Sequence, residues 1–292
     1  MVQVSVIIPS YNQVDKIEQC VRSILSQDFS KQYEIIIVDS SPTTHQQTLV
    51  KISLLDKRIT LIKLAQQTYP GAARNIGIAA SKGAIIALID SDCIADRNWL
   101  KNIDKNISDN VILTGVIQNG TKKNILGTCA HLVEFNHFLE SNEAKKEVPA
   151  AATCNFACKK SVFDSIGKFT QERAFEDFLF CHKFRLAGGK IYQIQNIRIS
   201  HVNKTALKDI RSNLKMLGNF SAKIRRKHGM APNLIFSYPI LAFFLVGFRY
   251  VSILSRVFKN RHLFHFLLYS PVIIYLLFYW SIGFYTGAKN KI

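Results

Sequence analysis

Asp90-Ser91-Asp92 stands at the end of the apolar run Ala84-Ile85-Ile86-Ala87-Leu88-Ile89. Such a run reads as a buried parallel strand, and open α/β sheets bind ligands beyond the carboxyl ends of their strands. Two carboxylates held this close repel unless a cation sits between them and something anionic. The chemistry suggested is a divalent metal holding a diphosphate. Alternation along a strand would place Asp90 and Asp92 on one face and Ser91 on the other. Arg74 sits in the Gly/Ala-rich segment Gly71-Ala72-Ala73, where backbone can approach a ligand, and its planar fork matches phosphate or base acceptors. That segment is not the dinucleotide-binding GxGxxG, which disfavours a Rossmann dehydrogenase.

The elements that must position these groups alternate from the first residues. Val4–Ile8, Glu34–Val38, Ile59–Leu64, the run ending at Asp90, Val111–Ile117 and Ile197–Ser200 read as strands. Ile17, Cys20, Val21, Ile24 and Leu25 form the stripe of an amphipathic helix, Gly71–Ser81 a short small-residue helix, and residues 97–107 another. Alternation of this kind predicts a mostly parallel sheet flanked by helices. The charged stretch 139–148 reads as a solvated loop or helix face.

Charge is distributed unevenly along the 292 residues. The formal +18 splits into +5 for residues 1–201 and +13 for residues 202–292, where Asp209 is the single acid. Basic residues beside apolar segments fit an anionic membrane surface better than nucleic acid. Six cysteines form no CxxC pair and no Cys/His zinc spacing, so they read as reduced core thiols of a cytosolic compartment. Val4–Ile8 is too short for a signal-peptide core, which leads to the expectation of a cytoplasmic catalytic domain at a cell membrane.

Past Thr205, Leu207, Ile210, Leu214, Leu217, Phe220 and Ile224 recur at helical steps among Lys and Arg. This is the composition of a helix lying on a bilayer; packing on the rest of the protein is the alternative. Leu234–Leu254, broken by Pro239 and Arg249, and Leu263–Ala288 follow. A span needs roughly 20 apolar residues, so a helical hairpin is expected, as two spans or a re-entrant loop. Its turn carries Arg256, Lys259 and Arg261, a basic group that favours the cytoplasmic side.

Five segments in order resemble a family 2 glycosyltransferase, a nucleotide-sugar-dependent enzyme of the GT-A fold. They are Val-Ser-Val-Ile-Ile-Pro-Ser-Tyr-Asn (4–12), Ile-Ile-Val-Asp-Ser-Ser (36–41), Pro-Gly-Ala-Ala-Arg-Asn-Ile-Gly (70–77), Ile-Asp-Ser-Asp-Cys (89–93) and Phe-Glu-Asp-Phe (175–178). The resemblance implies a nucleotide-sugar site from Pro9, Ser10, Tyr11, Asp39, Arg74, Asp90 and Ser91, with Tyr11 able to stack on the base. It assigns Asp92 and His201 to Mg²⁺ or Mn²⁺, and Asp177 to the general base that takes a proton from the acceptor hydroxyl. Thr153, Asn155 and Glu176 fall on the acceptor side. Two departures stand out: Ser40 where a second acid is frequent, and Gly167-Lys168-Phe169 in place of Gly-Gly-Phe.

Plainer readings exist for each group taken alone: a strand-to-helix turn for 9–12, a helix N-cap for Asp39, acids in a helix first turn for Glu176-Asp177, and a structural imidazole for His201. The expectation is an inverting glycosyltransferase that takes a nucleoside-diphosphate sugar, such as a UDP-sugar, to a saccharide or lipid-linked acceptor in polysaccharide or glycolipid synthesis. Residues 1–201 would be catalytic, 202–232 a basic amphipathic linker and 233–292 the membrane-associated hairpin. A sugar nucleotidyltransferase is an alternative, although residues 9–16 lack the Gly-rich triphosphate loop. A catalytically silent membrane scaffold is another.

Overall fold

The computed structural model describes residues 1–42, 46–258 and 263–290. Its strands are β1 (Val4–Ser10), β2 (Tyr33–Asp39), β3 (Ile59–Lys63), β4 (Ile85–Ile89), β5 (Cys93–Ala95), β6 (Val111–Asn119), β7 (Lys145–Glu147), β8 (Asn155–Lys159) and β9 (Lys190–His201). The helices are α1 (Val14–Leu25), α2 (Gln46–Ser53), α3 (Pro70–Ala80), α4 (Trp99–Asn106), α5 (Ile125–Phe135), α6 (Ser161–Ile166), α7 (Glu176–Leu186), α8 (Leu207–Lys227), α9 (Asn233–Ser237), α10 (Leu245–Phe258) and α11 (Leu263–Lys289). They gather into two compact units, residues 1–118 with 142–201, and residues 119–141 with 202–292.

The first unit is a mixed sheet in the order β3-β2-β1-β4-β8-β6-β9-β5, with β7 on β9. The block β3-β2-β1-β4 is parallel. Its middle strands are rich in Ile and Val and covered on both faces, as in β4, where every residue is buried. Helix α1 buries Ile17, Cys20, Val21 and Ile24, the stripe its spacing predicted. Because β1, β2 and β4 run the same way, Tyr11, Asp39 and Asp90 all emerge at one edge of the sheet. On the far side of β4, β8 is antiparallel and pairs Asn155 with Ile89. Thr153, just before β8, is thereby brought to that edge as well.

Two local differences from expectation have simple causes. The strand ends at Ile89, and Asp90-Ser91-Asp92 forms a turn closed by the Cys93 amide donating to the Asp90 carbonyl at 3.0 Å. Pairing with β8 stops at Ile89, which frees the chain to turn. The charged run 139–148 contains β7, an exposed strand that pairs with β9. Backbone pairing needs no apolar face, and the Lys145 ammonium lies 4.0 Å above the Tyr192 ring.

In the second unit, α8 buries Ile210, Leu214, Gly218 and Ala222. Its apolar stripe faces α11: a Cβ on Gly283 would collide with the Lys215 backbone, and one on Gly287 with that of Asn219. Small residues spaced four apart allow helix backbones this close. The helices run in the same direction, since Arg211 lies over Tyr279 and Arg226 donates to the Ala288 carbonyl. The expected break at Pro239 is present as a 3₁₀ turn, Pro239–Phe244. Pro239–Phe258 and Phe266–Lys289 are long and apolar enough to cross a membrane. Phe244, Phe248, Val251, Phe258, Leu267 and Leu268 are exposed on them. Lys259 and Arg261 of the expected basic turn lie outside the described residues.

Candidate active site

Arg74 is the centre of the site. It projects from α3, is 2 % exposed, and donates from Nη1 to Glu176 Oε1 and from Nη2 to Asp90 Oδ1, both at 2.6 Å. Burial alone would lower its pKa, but the carboxylates of Asp90 and Glu176 more than offset that and raise it. The guanidinium is therefore a fixed cation joining the β4 turn to the start of α7. Among the described residues its buried Nε–H has no partner.

Gly71 makes this junction possible. A Cβ there would lie 2.7 Å from the Thr170 carbonyl oxygen and 2.9 Å from Glu176 Cγ. The backbone approach foreseen for Gly71 thus serves the segment leading into α7. That segment ends at Phe175, whose φ of 68° is left-handed. A bulky residue rarely adopts this conformation, and such residues cluster at functional sites. It turns the chain so that Glu176 and Asp177 open α7 side by side.

These two acids differ in setting. Glu176 is 6 % exposed; burial first, then the neighbouring Asp177, pushes its pKa up to about 7 against the pull of Arg74. Burial also raises the Asp177 pKa. That rise is opposed by the Phe178 amide, which donates to Asp177 Oδ1 at 2.7 Å, and by Arg74 and the Thr153 amide. A carboxylate with a raised pKa is a stronger base than one in water.

Asp92 meets a different set. The β5–β9 ladder pairs Cys93 with His201, which brings His201 Nε2 to 3.5 Å from Asp92 Oδ1. Lys16 Nζ lies 3.9 Å from Asp92 Oδ2. Asp92, Cys93 and His201 are close enough together to hold one ion. Burial, followed by the bond with Cys154, raises the Cys93 pKa well above its ordinary value, so it offers a thiol and not a thiolate. The effective donors are one carboxylate and one imidazole. That set fits Mn²⁺ or Mg²⁺ completed by phosphate oxygens and water, and not a thiolate-bound zinc.

The nucleotide side is built from the ends of β1 and β2. Asp39 is 1 % exposed and accepts from the Ser41 amide at 3.0 Å and the Ser41 hydroxyl at 2.7 Å. Ser41 Oγ in turn accepts from the Asn12 amide at 2.8 Å, tying the two loops together. Pro9 and Ser10 lie in β1 opposite Val38 and Asp39. Tyr11, the next residue, is 37 % exposed. Ser91 is buried between the two acids of its turn.

Asn155 stands apart from this group. Its Oδ1 accepts from Trp99 Nε1 at 2.9 Å, and its Nδ2 donates to the carbonyls of Val116 and Ile197. The amide is engaged in holding the core. Sequence reasoning missed Lys16, Ser41, Cys93 and the backbone of Phe175. Ser41 had a local signal, a hydroxyl two residues after a strand-ending Asp; Lys16 and Cys93 become visible only through long-range contacts, and no glycine marks the left-handed backbone of Phe175.

Known proteins share the family and the fold. The glycosyl transferase family 2 profile matches residues 5–167, more than half of the chain. Glycosyltransferase AglE of Haloferax volcanii is 31% identical over 169 residues, which cover 57% of this chain and 55% of AglE. This chain therefore spans about half the length of that relative. The mannosyltransferase PcManGT from Pyrobaculum calidifontis, solved with GDP-Man and Mn²⁺, superposes with a TM-score of 0.66 at 17% identity, over 98% of this chain and 85% of that one. S. aureus TarS 1-349, solved with UDP-GlcNAc, gives 0.56 at 15% identity, over 98% and 90% of the two chains. The fold is of the GT-A type, and the chain belongs to glycosyl transferase family 2.

Proposed function

We propose that this glycosyltransferase takes a sugar from a nucleoside-diphosphate donor, a UDP-sugar, and inverts its anomeric configuration. The acceptor is a hydroxyl of a saccharide or lipid-linked glycan at the cytosolic membrane face, in polysaccharide or glycolipid synthesis. The observation that carries this reading is the Arg74 bridge, which places the Asp90 turn and the Glu176-Asp177 pair around one cation. Residues 1–201 hold the chemistry, 202–232 the basic helix and 233–292 the membrane-associated hairpin.

In this mechanism Tyr11 stacks on the base and Asp39, oriented by Ser41, accepts a hydrogen bond from base or ribose. Asp90 supports the ribose end, and the free Nε–H of Arg74 points to an acceptor on the donor. Asp92 and His201 would hold Mn²⁺ or Mg²⁺, and the charge it would supply would offset the negative charge building on the leaving diphosphate. Asp177 accepts the proton of the acceptor hydroxyl as its oxygen bonds to the anomeric carbon and the bond to diphosphate breaks. Attack from the side opposite the diphosphate inverts the centre. Glu176, fixed by Arg74, orients the acceptor beside Asp177.

The test is transfer by the purified full chain, with UDP-sugars, GDP-sugars, Mn²⁺ and Mg²⁺ compared and the product configuration read by NMR. An Asp177→Asn variant should keep donor binding and lose transfer. Full transfer by that variant with an intact fold, or a retained configuration, would overturn the reading.

A further inference from the structure

Two stripes of exposed apolar side chains mark the second unit. Phe244, Phe248, Val251 and Phe258 recur at steps of four, three and seven along α10 and the turn before it. Leu267, Ile274 and Phe278 recur at steps of seven and four along α11. Such steps keep a stripe on one side of a helix. Phe243 joins the two, its ring centre 5.4 Å from that of Phe278. The other side of α11 is covered by α8, where a Cβ on Gly218 would meet the Trp280 carbonyl and one on Gly283 the Lys215 backbone. On α10, Arg256 Nη1 donates to Asn136 Oδ1 at 2.9 Å, next to the end of α5.

A full crossing by α11 conflicts with this packing. Helix α8 carries seven Lys and Arg against the single acid Asp209, and it runs beside the second half of α11. The Arg211 guanidinium lies 4.7 Å and the Lys215 ammonium 5.4 Å from the centre of the Tyr279 ring. Arg226 reaches the Ala288 carbonyl at 3.2 Å. If Phe266–Lys289 crossed a bilayer, Tyr279 would lie about 20 Å from Phe266, well inside a core about 30 Å thick. Two cations would then sit in hydrocarbon, where ionisable groups are costly. A crossing that ended before them would have only Leu263–Phe278, sixteen residues, where roughly 20 are needed. Among the described residues the exposed stripe of α11 also ends at Phe278. One-sided apolar stripes bordered by cations and tyrosines suit helices that lie in the interface.

We infer that α10 and α11 seat in one leaflet of an anionic bilayer, lying along its surface with neither crossing it. The excess of +13 over residues 202–292 selects anionic lipid. This inference rests on the membrane association proposed above and specifies its form. Trp280 reads it, being 6 % exposed, 4.1 Å from the Arg249 guanidinium, and on the side of α11 that packs on α8. In a crossing helix it would lie about 21 Å from Phe266, near the bilayer centre. In the seated unit it stays close to headgroup level. Full-length protein would be floated with vesicles of phosphatidylcholine alone and with phosphatidylglycerol added. The anionic vesicles would carry chains brominated near the ester end or near the methyl end. Emission of a Trp280→Phe variant, which keeps Trp99, supplies the background.

Binding should be at least tenfold tighter with phosphatidylglycerol and should weaken at least tenfold in Phe248→Asp. Bromines near the ester end should quench Trp280 at least twice as strongly as those near the methyl end. Stronger quenching by the deep bromines would overturn the seating in favour of a crossing and leave membrane association intact. Equal binding to neutral and anionic vesicles, or binding untouched by Phe248→Asp, would overturn it as well. Absence from all vesicles, together with a dimer that Phe248→Asp dissociates, would assign the stripes to a second copy of the chain and reject membrane association too. Metal-dependent hydrolysis of a UDP-sugar on the same preparation reads the transfer reaction separately. Its loss with vesicle binding and shallow quenching intact would count against that reaction and leave the seating standing.

Discussion

Arg74 and Glu176, from α3 and α7, form an ion pair at 2.6 Å with side chains only 3% and 8% exposed. The contact joins segments about a hundred residues apart in the chain and sits next to the proposed base. Breaking a buried pair strands a charge, at a cost of about 3–5 kcal/mol. Arg74→Met should lower stability by that order in chemical denaturation and cut transfer by about 10²-fold or more. Arg74→Lys should rescue little, because one ammonium cannot reproduce a fork that reaches Asp90 and Glu176 together.

Stability should depend on pH through Glu176. Its pKa is about 7 in the fold against an ordinary value of 4.5. Between those values the folded protein binds more protons than the unfolded one, so stability should fall as pH rises through that window. Urea midpoints at pH 5 and pH 8 would read the difference, and Glu176→Gln should flatten it. Stability that rises across the window would contradict the raised pKa.

The acid limb of the rate profile belongs to Asp177 in this mechanism. Because burial raises its pKa, loss of transfer on acidification should set in above the range of an ordinary exposed aspartate. Rates measured with saturating donor from pH 4 to pH 8 would show a limb that Glu176→Gln leaves in place, apart from any change in its midpoint.

Metal and nucleotide should bind together at Asp92 and His201. A ligand at a hundred times its Kd adds about 2.7 kcal/mol of apparent stability. UDP with Mn²⁺ should produce such a stabilisation in the wild-type protein, and neither component alone should match it. Asp92→Asn should abolish the joint effect, and His201→Gln should reduce it. A full joint shift in Asp92→Asn would remove that residue from the metal site.

Gly71→Ala should act on catalysis from outside the reacting groups. Its methyl would meet the Thr170 carbonyl and Glu176 Cγ, an overpacking that costs about 1–3 kcal/mol. Since the displaced element is the start of α7, kcat should fall more than donor affinity. Steady-state kinetics beside donor titration would separate the two.

Much of this site could be read from the chain because its parts are local. β4 ends in two acids, the β1 and β2 loops follow apolar runs, and the α1 stripe is periodic; each is written within about twelve residues. The meeting of Asp92 with His201 depends on the β5–β9 register, and that of Arg74 with Glu176 on how α3 packs against α7. Neither has a signal in spacing. Residues 119–141 read as an ordinary continuation of the first unit, yet α5 joins the core of the second, where Cys129 and Val133 meet residues of α8 and α11. The left-handed Phe175 was equally hidden, since glycine is the residue that usually marks such a backbone.

The close seating of α8 on α11 has a mechanical consequence. One residue of helix advances 1.5 Å and turns by about 100°, so a single-step slide would replace Gly283 or Gly287 with Phe284 or Ala288 at the crossing. The nearest other notch is a full helical turn away, since Gly283 and Gly287 are four residues apart. A depth taken by α11 in a bilayer would therefore carry the lysines and arginines of α8 with it over shifts smaller than one turn.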